Sequence, residues 1–359
     1  MDKIAASAPQ LQGVIPYDPK YLPADMMLSA NENPSDVAPE IRREIERAIR
    51  KVELNRYPDP LANDLRDMIA EANGLTREWV LVGNGGDELL FNTALAWGGP
   101  QRNFLNFPPT FSVYAANARL TNTNVIDIPR KSDDLFGIDE DAAIAALQDK
   151  ARPVHYTIIA NPNNPTGKMS DTTFLNNILK STDALVMVDE AYFEFSRNTI
   201  RPYLEENKNL VILRTFSKAF SLAGVRLGYI LAHPDVIREY IKVRQPYSVD
   251  AVSQAIARVV YANRSAFEPA IDGIIAERER LIEGLRSIPG IKAFPSDSNW
   301  VLFRMDRAKE AWQHLFDNGI LIRDFSASTE LTDCLRATVG LPEQNDALLT
   351  ALRDFVLRR

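Results

Sequence analysis

The sequence predicts an α/β protein: a large domain with a mainly parallel seven-stranded sheet between helices, followed by a smaller α+β domain. Three observations carry that prediction. Short apolar runs recur without the alternation of a one-sided sheet, as strands buried on both faces do. Segments of helical periodicity stand between these runs and supply the crossovers that parallel strands need. The pattern then changes after Ala266, and a chain of 359 residues has room for two domains at ~100–200 residues each.

Along the chain, the strand candidates of the large domain are Trp79 to Val82, Asn103 to Phe107, Asn124 to Ile128, His155 to Ala160, Ala184 to Val188, Leu210 to Leu213 and Leu227 to Ala232. Helical periodicity marks Leu89 to Trp97, after a glycine-rich turn, and Asp171 to Lys180. Beyond Ala266, residues Ile271, Ile274, Ile275, Leu281, Ile282 and Leu285 share one helical face, and Pro289-Gly290 stops that helix. The small-domain strand candidates are Trp300 to Phe303, Ile320 to Ile322 and Leu335 to Val339; a last helix places Leu348, Leu352 and Phe355 together. With no repeat, low-complexity tract or Gly/Ser linker, the two units should pack closely around a cleft suited to a small ligand.

Composition narrows the function. Lys plus Arg total 41 against 48 for Asp plus Glu, a net charge of −7 that disfavours nucleic acid and anionic membrane as partners. No run reaches the ~18 apolar residues of a membrane span. Cys334 is the single cysteine, so an intramolecular disulfide and a multi-cysteine metal site are excluded, as in a reducing compartment. His155, His233 and His314 stand far apart, outside zinc-hydrolase spacing, and no metal is expected. The opening residues lack a signal-peptide apolar core, so the cytoplasm is the expected location.

Four motifs fall at predicted strand ends, where open α/β sheets bind ligands. Gly83-Asn84-Gly85-Gly86-Asp87-Glu88 opens a helix, and its free N–H groups suit a phosphate; the plain alternative is a structural turn. Asn161-Pro162-Asn163-Asn164-Pro165-Thr166-Gly167 forms a rigid turn that either holds its amides in fixed directions or bonds its own backbone. Asp189 closes an apolar strand, where a carboxylate is costly to desolvate unless it meets a cation or strong donors; a helix N-cap is the other reading. Lys218 lies past a strand between Ser217 and Ala219, with Arg226 eight residues on. A partly desolvated lysine near positive charge becomes a nucleophile for an aldehyde, although a surface lysine near an arginine is common. Together the four motifs supply an anion cradle, a carboxylate for a ring cation and an amine for an aldehyde, the three partners of pyridoxal phosphate.

These residues also carry a resemblance to the class I/II, fold-type I pyridoxal-phosphate aminotransferases. It extends nearly end to end, through Ser29-Ala30-Asn31-Glu32-Asn33-Pro34, Asn55-Arg56-Tyr57-Pro58-Asp59, Gly83 to Glu88, Pro108-Pro109-Thr110-Phe111, Asn161 to Gly167, Asp189 to Tyr192, Phe216 to Arg226 and Leu335 to Gly340. The resemblance implies residues 1–45 as an N-terminal segment covering the cleft and joining the small domain, 46–262 as the cofactor-binding domain and 263–359 as the small domain. It implies an amino donor and a 2-oxo acid as substrates. Relatives acting on aromatic amino acids or phosphothreonine share most of these motifs, and a non-catalytic cofactor-sensing module is a more distant reading that the negative charge disfavours.

Roles follow from the resemblance position by position. Lys218 matches the lysine that binds the cofactor aldehyde and moves the proton. Asp189 matches the carboxylate that keeps the ring nitrogen protonated, and Tyr192 and Asn164 match the pair on the ring hydroxyl. The backbone at Gly86 and Asp87, with Thr215, Ser217 and Arg226, matches the phosphate cup. Tyr57 matches a tyrosine that reaches the neighbouring subunit's cofactor, which implies a homodimer with shared sites. Phe111 stands where a tyrosine is usual, keeping the stacking and losing a hydroxyl. Arg336 matches the arginine on the substrate's anionic group. Arg323 is a second such candidate, or else pairs with Asp324, and Tyr17 and Asn31 are further substrate contacts.

Overall fold

The computed structural model describes residues 7–12, 14, 22–132 and 135–357. Its strands are β1 (Met26–Leu28), β2 (Val80–Gly83), β3 (Asn103–Asn106), β4 (Asn124–Asp127), β5 (Val154–Ala160), β6 (Leu185–Asp189), β7 (Leu210–Thr215), β8 (Gly228–Ala232), β9 (Ile291–Ala293), β10 (Trp300–Met305), β11 (Ile320–Asp324) and β12 (Cys334–Thr338). They form a seven-stranded sheet, ordered β2-β8-β7-β6-β5-β3-β4, and a five-stranded sheet, ordered β1-β11-β12-β10-β9.

Alternate residues of the central strands bury on opposite faces of the large sheet. Val186 and Val188 of β6 join the apolar cluster on one side, while Leu185 and Met187 join the cluster on the other. Leu210 and Ile212 of β7 are likewise opposed to Val211 and Leu213. At roughly 1.5–3 kcal/mol per buried aliphatic side chain, this two-sided burial is what holds the sheet between its helices. One of these clusters runs on into the small sheet through Trp300, Val301, Ile322 and Leu335, so the two sheets share an apolar core.

The seven expected strands of the large sheet form within a residue or two of their expected limits, but two differ in kind. β8 pairs antiparallel with both β7 and β2. The chain between β7 and β8 contains only a short 3-10 turn, Ala223–Val225, so it reverses direction instead of crossing over. β4 is an edge strand with its ends exposed, not a buried one. In the small sheet, the three-residue strands β1 and β9 are too short to show a period in the sequence. β1 pairs parallel with β11, so the segment before the large sheet supplies an edge strand to the small one. The helices Thr172–Lys180, Glu268–Arg286 and Pro342–Leu357 form where expected, whereas the first runs Gly85–Trp97 and so begins inside the glycine-rich turn and not at Leu89. Asp171 caps the helix Thr172–Lys180, its Oδ1 accepting from the Thr173 N–H at 2.6 Å.

Register brings the four motifs together. Ala160 is paired with Asp189, and Asp189 with Leu213, along neighbouring parallel strands. Gly228 is paired with Thr215 on one side and Gly83 on the other. The chain segments leaving β2, β5, β6 and β7 therefore emerge at one edge of the sheet.

Candidate active site

At that edge a cavity of about 460 Å³ opens between the two sheets. Its lining includes Lys218, Asp189, Tyr192, Asn164, Arg226 and Arg336. Asn31, Gly86, Asp87, Phe111, Thr215, Ser217 and Arg323 line it as well. Two expected site residues are not among the lining. Tyr57 is exposed and stacks on Tyr247, ring centroids 4.6 Å apart, and Tyr17 lies outside the described residues.

One end of the cavity is built to take an anion. The helix Gly85–Trp97 starts there, so the N–H groups of its first turn have no intrahelical partner. Gly85 has φ +76°, a conformation that favours glycine. A Cβ on Gly228 would stand 2.9 Å from the backbone of Gly85 and of Gly86, so β8 approaches this turn as only glycine allows. Opposite, Thr215 Oγ1 lies 3.0 Å from Ser217 Oγ. Arg226, with φ +57°, donates to Asp87 Oδ2 at 3.0 Å.

At the base of the cavity Asp189 is 7% exposed. Its Oδ1 accepts from the Ala191 N–H at 3.0 Å, a local turn and not a helix cap, since Tyr192 is the N-cap of the short helix that follows, and its Oδ2 accepts from the Tyr114 hydroxyl at 2.6 Å. Burial pushes this carboxyl up to about 6, against the two hydrogen bonds and with Asp87 and Glu190 adding to the rise. No cationic side chain pairs with Asp189 among the described residues.

Lys218 Nζ donates to the carbonyl oxygen of Ala30 at 2.9 Å and lies 5.8 Å from the centre of the Tyr192 ring. Burial first, and then Arg336, push its amine down to about 8; Arg226 also lowers it, while Glu32 and Asp87 act the other way. A lysine so placed is part-neutral near neutral pH and competent as a nucleophile.

The small unit contributes the remaining cations. Arg336, 5% exposed, donates to Asn164 Oδ1 and, at 2.7 Å, to the Ser29 carbonyl oxygen. Arg323 on β11 is its register partner. The Asp324 carboxylate is held by Lys309 at 2.9 Å and by the Ser326 N–H at 2.8 Å. Asn31 is 1% exposed. It donates to the Tyr192 hydroxyl at 3.1 Å, while its own N–H donates to Thr338 Oγ1 at 2.9 Å. Its amide thus bears on Tyr192, and reading it as a plain substrate contact overlooks that partner.

Several partnerships that matter here were not legible in the sequence. Tyr114 is legible only afterwards, three residues past Phe111 on the helix Val113–Leu120. Asn163, fully buried, donates to the Pro109 carbonyl oxygen at 3.0 Å and accepts from Thr110 Oγ1 at 2.7 Å, tying two cavity loops together. Next to Asp189 in sequence, Glu190 accepts at Oε2 from Arg214 at 2.9 Å in a buried pair. Nothing local in the sequence marks such long-range partners.

A buried carboxylate facing no side-chain cation, a desolvated amine and a glycine-built anion cradle fit one compact molecule bearing a basic ring nitrogen, an aldehyde and a phosphate. A cleft of this kind, at the carboxyl edge of this sheet, defines a pyridoxal-phosphate enzyme of fold type I. Residues 23–352 match the family profile described as aminotransferase class I and II, and the chain belongs to that family. It is thus a pyridoxal-phosphate-dependent transaminase, acting on an amino donor and a 2-oxo acid.

Among curated proteins it is 41% identical to histidinol-phosphate aminotransferase 1 of Carboxydothermus hydrogenoformans, over 95% of this chain and 96% of that one. It is 34% identical to the histidinol-phosphate aminotransferase of Thermoanaerobacter pseudethanolicus, over 97% and 98% of the two chains. Among solved structures, that of histidinol-phosphate aminotransferase from Sinorhizobium meliloti in complex with pyridoxal-5'-phosphate superposes with a TM-score of 0.89. It covers 99% of this chain and 98% of that one at 23% identity. No helix among the described residues is long and apolar enough to cross a membrane.

Proposed function

We propose that this protein is a histidinol-phosphate aminotransferase of histidine biosynthesis, interconverting histidinol phosphate and 2-oxoglutarate with imidazole-acetol phosphate and glutamate. The observation that carries the reading is the arginine pair on β11 and β12. Arg323 and Arg336 face the cavity that also holds Lys218, and two guanidinium forks suit either a phosphate or the carboxylates of glutamate. The names of the relatives point the same way.

In this reading the cofactor supplies an electron sink for the substrate α-carbon. Lys218 would hold the cofactor aldehyde, and its amine would move a proton away from the substrate α-carbon and back. Asp189 keeps the ring nitrogen protonated. Tyr192 and Asn164 bond the ring hydroxyl, with Asn31 holding Tyr192 and Arg336 holding Asn164. Gly86, Asp87, Thr215, Ser217 and Arg226 cradle the phosphate, and Phe111 stacks on the ring. Residues 46–262 act as the cofactor domain and 263–359 as the small domain, with 1–45 as the covering segment that includes Tyr17. The protein works as a cytoplasmic homodimer in which Tyr57 reaches the phosphate bound by the neighbouring subunit. The exposure of Tyr57, away from its own cavity, supports that arrangement.

The deciding experiment mixes the cofactor-loaded protein with histidinol phosphate, phenylalanine, aspartate or phosphothreonine and follows loss of the lysine-bound cofactor absorbance in a single turnover. Histidinol phosphate should react fastest. A clear lead for phenylalanine would make the protein an aromatic or broad-range aminotransferase; a lead for phosphothreonine, with release of carbon dioxide, would make it a decarboxylase.

A further inference from the structure

Tyr114 has no place in the roles assigned above, yet it makes a 2.6 Å hydrogen bond to a buried carboxylate at the base of the cleft. We propose that Tyr114 is a positioning residue whose hydroxyl fixes the orientation and ionisation of Asp189, and through Asp189 the hold on the cofactor's ring nitrogen. The inference rests on the cofactor reading of Asp189.

The geometry is specific. Each carboxylate oxygen has one protein donor, the Ala191 N–H on Oδ1 and the Tyr114 hydroxyl on Oδ2, so rotation of the group breaks both bonds. The charges around it oppose ionisation: Asp87 from the helix Gly85–Trp97 and Glu190 from the end of β6 both raise its affinity for a proton, as does burial. The Tyr114 and Ala191 donors are the groups that favour the carboxylate. Of these two donors Tyr114 is the stronger support for the charged form of Asp189.

The phenol is itself held as a donor. Tyr114 is 1% exposed, and burial, with Asp189 beside it, keeps its hydroxyl protonated well above the usual range. Tyr192 adds to that rise, and Arg130 acts against it, which strengthens the hydroxyl as a donor. Arg130 is buried behind this layer, its Nε donating to the Phe107 carbonyl oxygen at 3.1 Å and its Nη1 to that of Phe136 at 3.2 Å. The ring of Phe111 meets Tyr114 edge-on, centroids 5.6 Å apart at 87°. Lacking a hydroxyl, Phe111 offers Asp189 no substitute donor.

The test is read on cofactor-free protein carrying carboxyl-labelled aspartate, with Asp189→Asn assigning the resonance. The Asp189 midpoint should lie near 6 in the wild type and rise by about one pH unit in Tyr114→Phe. Replacing Tyr114 by 3,5-difluorotyrosine, a stronger donor of the same shape, should lower it; this arm decides the matter if Tyr114→Phe does not fold. An unmoved midpoint in a folded variant overturns the proposal. Tyr114→Phe should also bind pyridoxal phosphate about twofold more weakly at about pH 7 and about tenfold more weakly at about pH 5, and unchanged affinity with a shifted midpoint would overturn the link to the cofactor. Wild-type protein that bound no pyridoxal phosphate would instead refute the cofactor reading itself.

Discussion

Arg323 and Arg336 are directly opposed on the antiparallel strands β11 and β12, so two guanidinium groups face one cleft from neighbouring positions. Like charges so placed repel unless an anion lies between them. On the proposed function, that anion is the substrate's phosphate or carboxylate.

Replacing either arginine by glutamine should leave the fold intact and weaken the substrate's anionic end. A lost charge-assisted hydrogen bond of roughly 1.5–3 kcal/mol corresponds to about a ten- to hundredfold fall in kcat/KM for a phosphate-bearing substrate. Arg336→Lys should fail to restore it, because Arg336 spans the Ser29 carbonyl oxygen and Asn164 at once and an ammonium cannot fork. Steady-state kinetics with phosphorylated and unphosphorylated amino donors check this.

The Lys218 amine, brought down from 10.5 to about 8, gives a pH dependence with a definite sign. The neutral amine attacks the aldehyde, so capture of pyridoxal phosphate by cofactor-free protein should speed up as pH rises through about 8. Between 8 and 10.5 the unfolded chain binds the extra proton, so the contribution of this group to stability also rises with pH over that window. Arg336→Gln should move the capture midpoint upward, since Arg336 follows burial as a cause of the shift. Stopped-flow absorbance across pH 6.5–10 measures both midpoints.

Gly228→Ala should uncouple the phosphate end of the cleft. Its new Cβ would stand 2.9 Å from backbone atoms of Gly85 and Gly86, and backbone cannot rotate aside as a side chain can. Overpacking of this kind costs about 1–3 kcal/mol, and cofactor affinity should fall more steeply than stability if the displaced turn is the cradle, as proposed. Denaturant titration alongside cofactor titration separates the two.

If Tyr57 serves the neighbouring subunit, Lys218→Ala and Tyr57→Ala proteins should each be impaired as homodimers, while mixing them under subunit exchange should recover activity. Each hybrid carries one site with both residues intact. No recovery in verified hybrids would mean that Tyr57 acts elsewhere.

Much of this was legible in the chain. Apolar runs without alternation predicted the buried strands, because burial on both faces removes the need for polar residues at every second position. Glycine and proline marked the turns that carry chemistry, and Lys218, Asp189 and Arg226 stood out because a charged residue at the end of a buried strand needs a reason. Which strand of the mainly parallel sheet runs the other way was not legible, because a strand's composition does not record its direction; the short 216–227 connection sets that of β8. Tyr114 and the contacts of Asn163 with Pro109 and of Asn31 with Tyr192 were missed because their partners lie 75, 54 and 161 positions away.

By itself, then, the sequence determined the α/β class, the motifs and the chemistry that suits a phosphate, an aldehyde and a ring cation. Those properties follow from local residue type and spacing. The tertiary structure decided which groups act on one another: that strand register sets Asp189 beside the Tyr114 hydroxyl, Arg323 opposite Arg336, and Gly228 against the turn at Gly85. The physical reason is that charge state and orientation depend on desolvation and on distances of a few ångströms, which only the folded packing of remote segments creates.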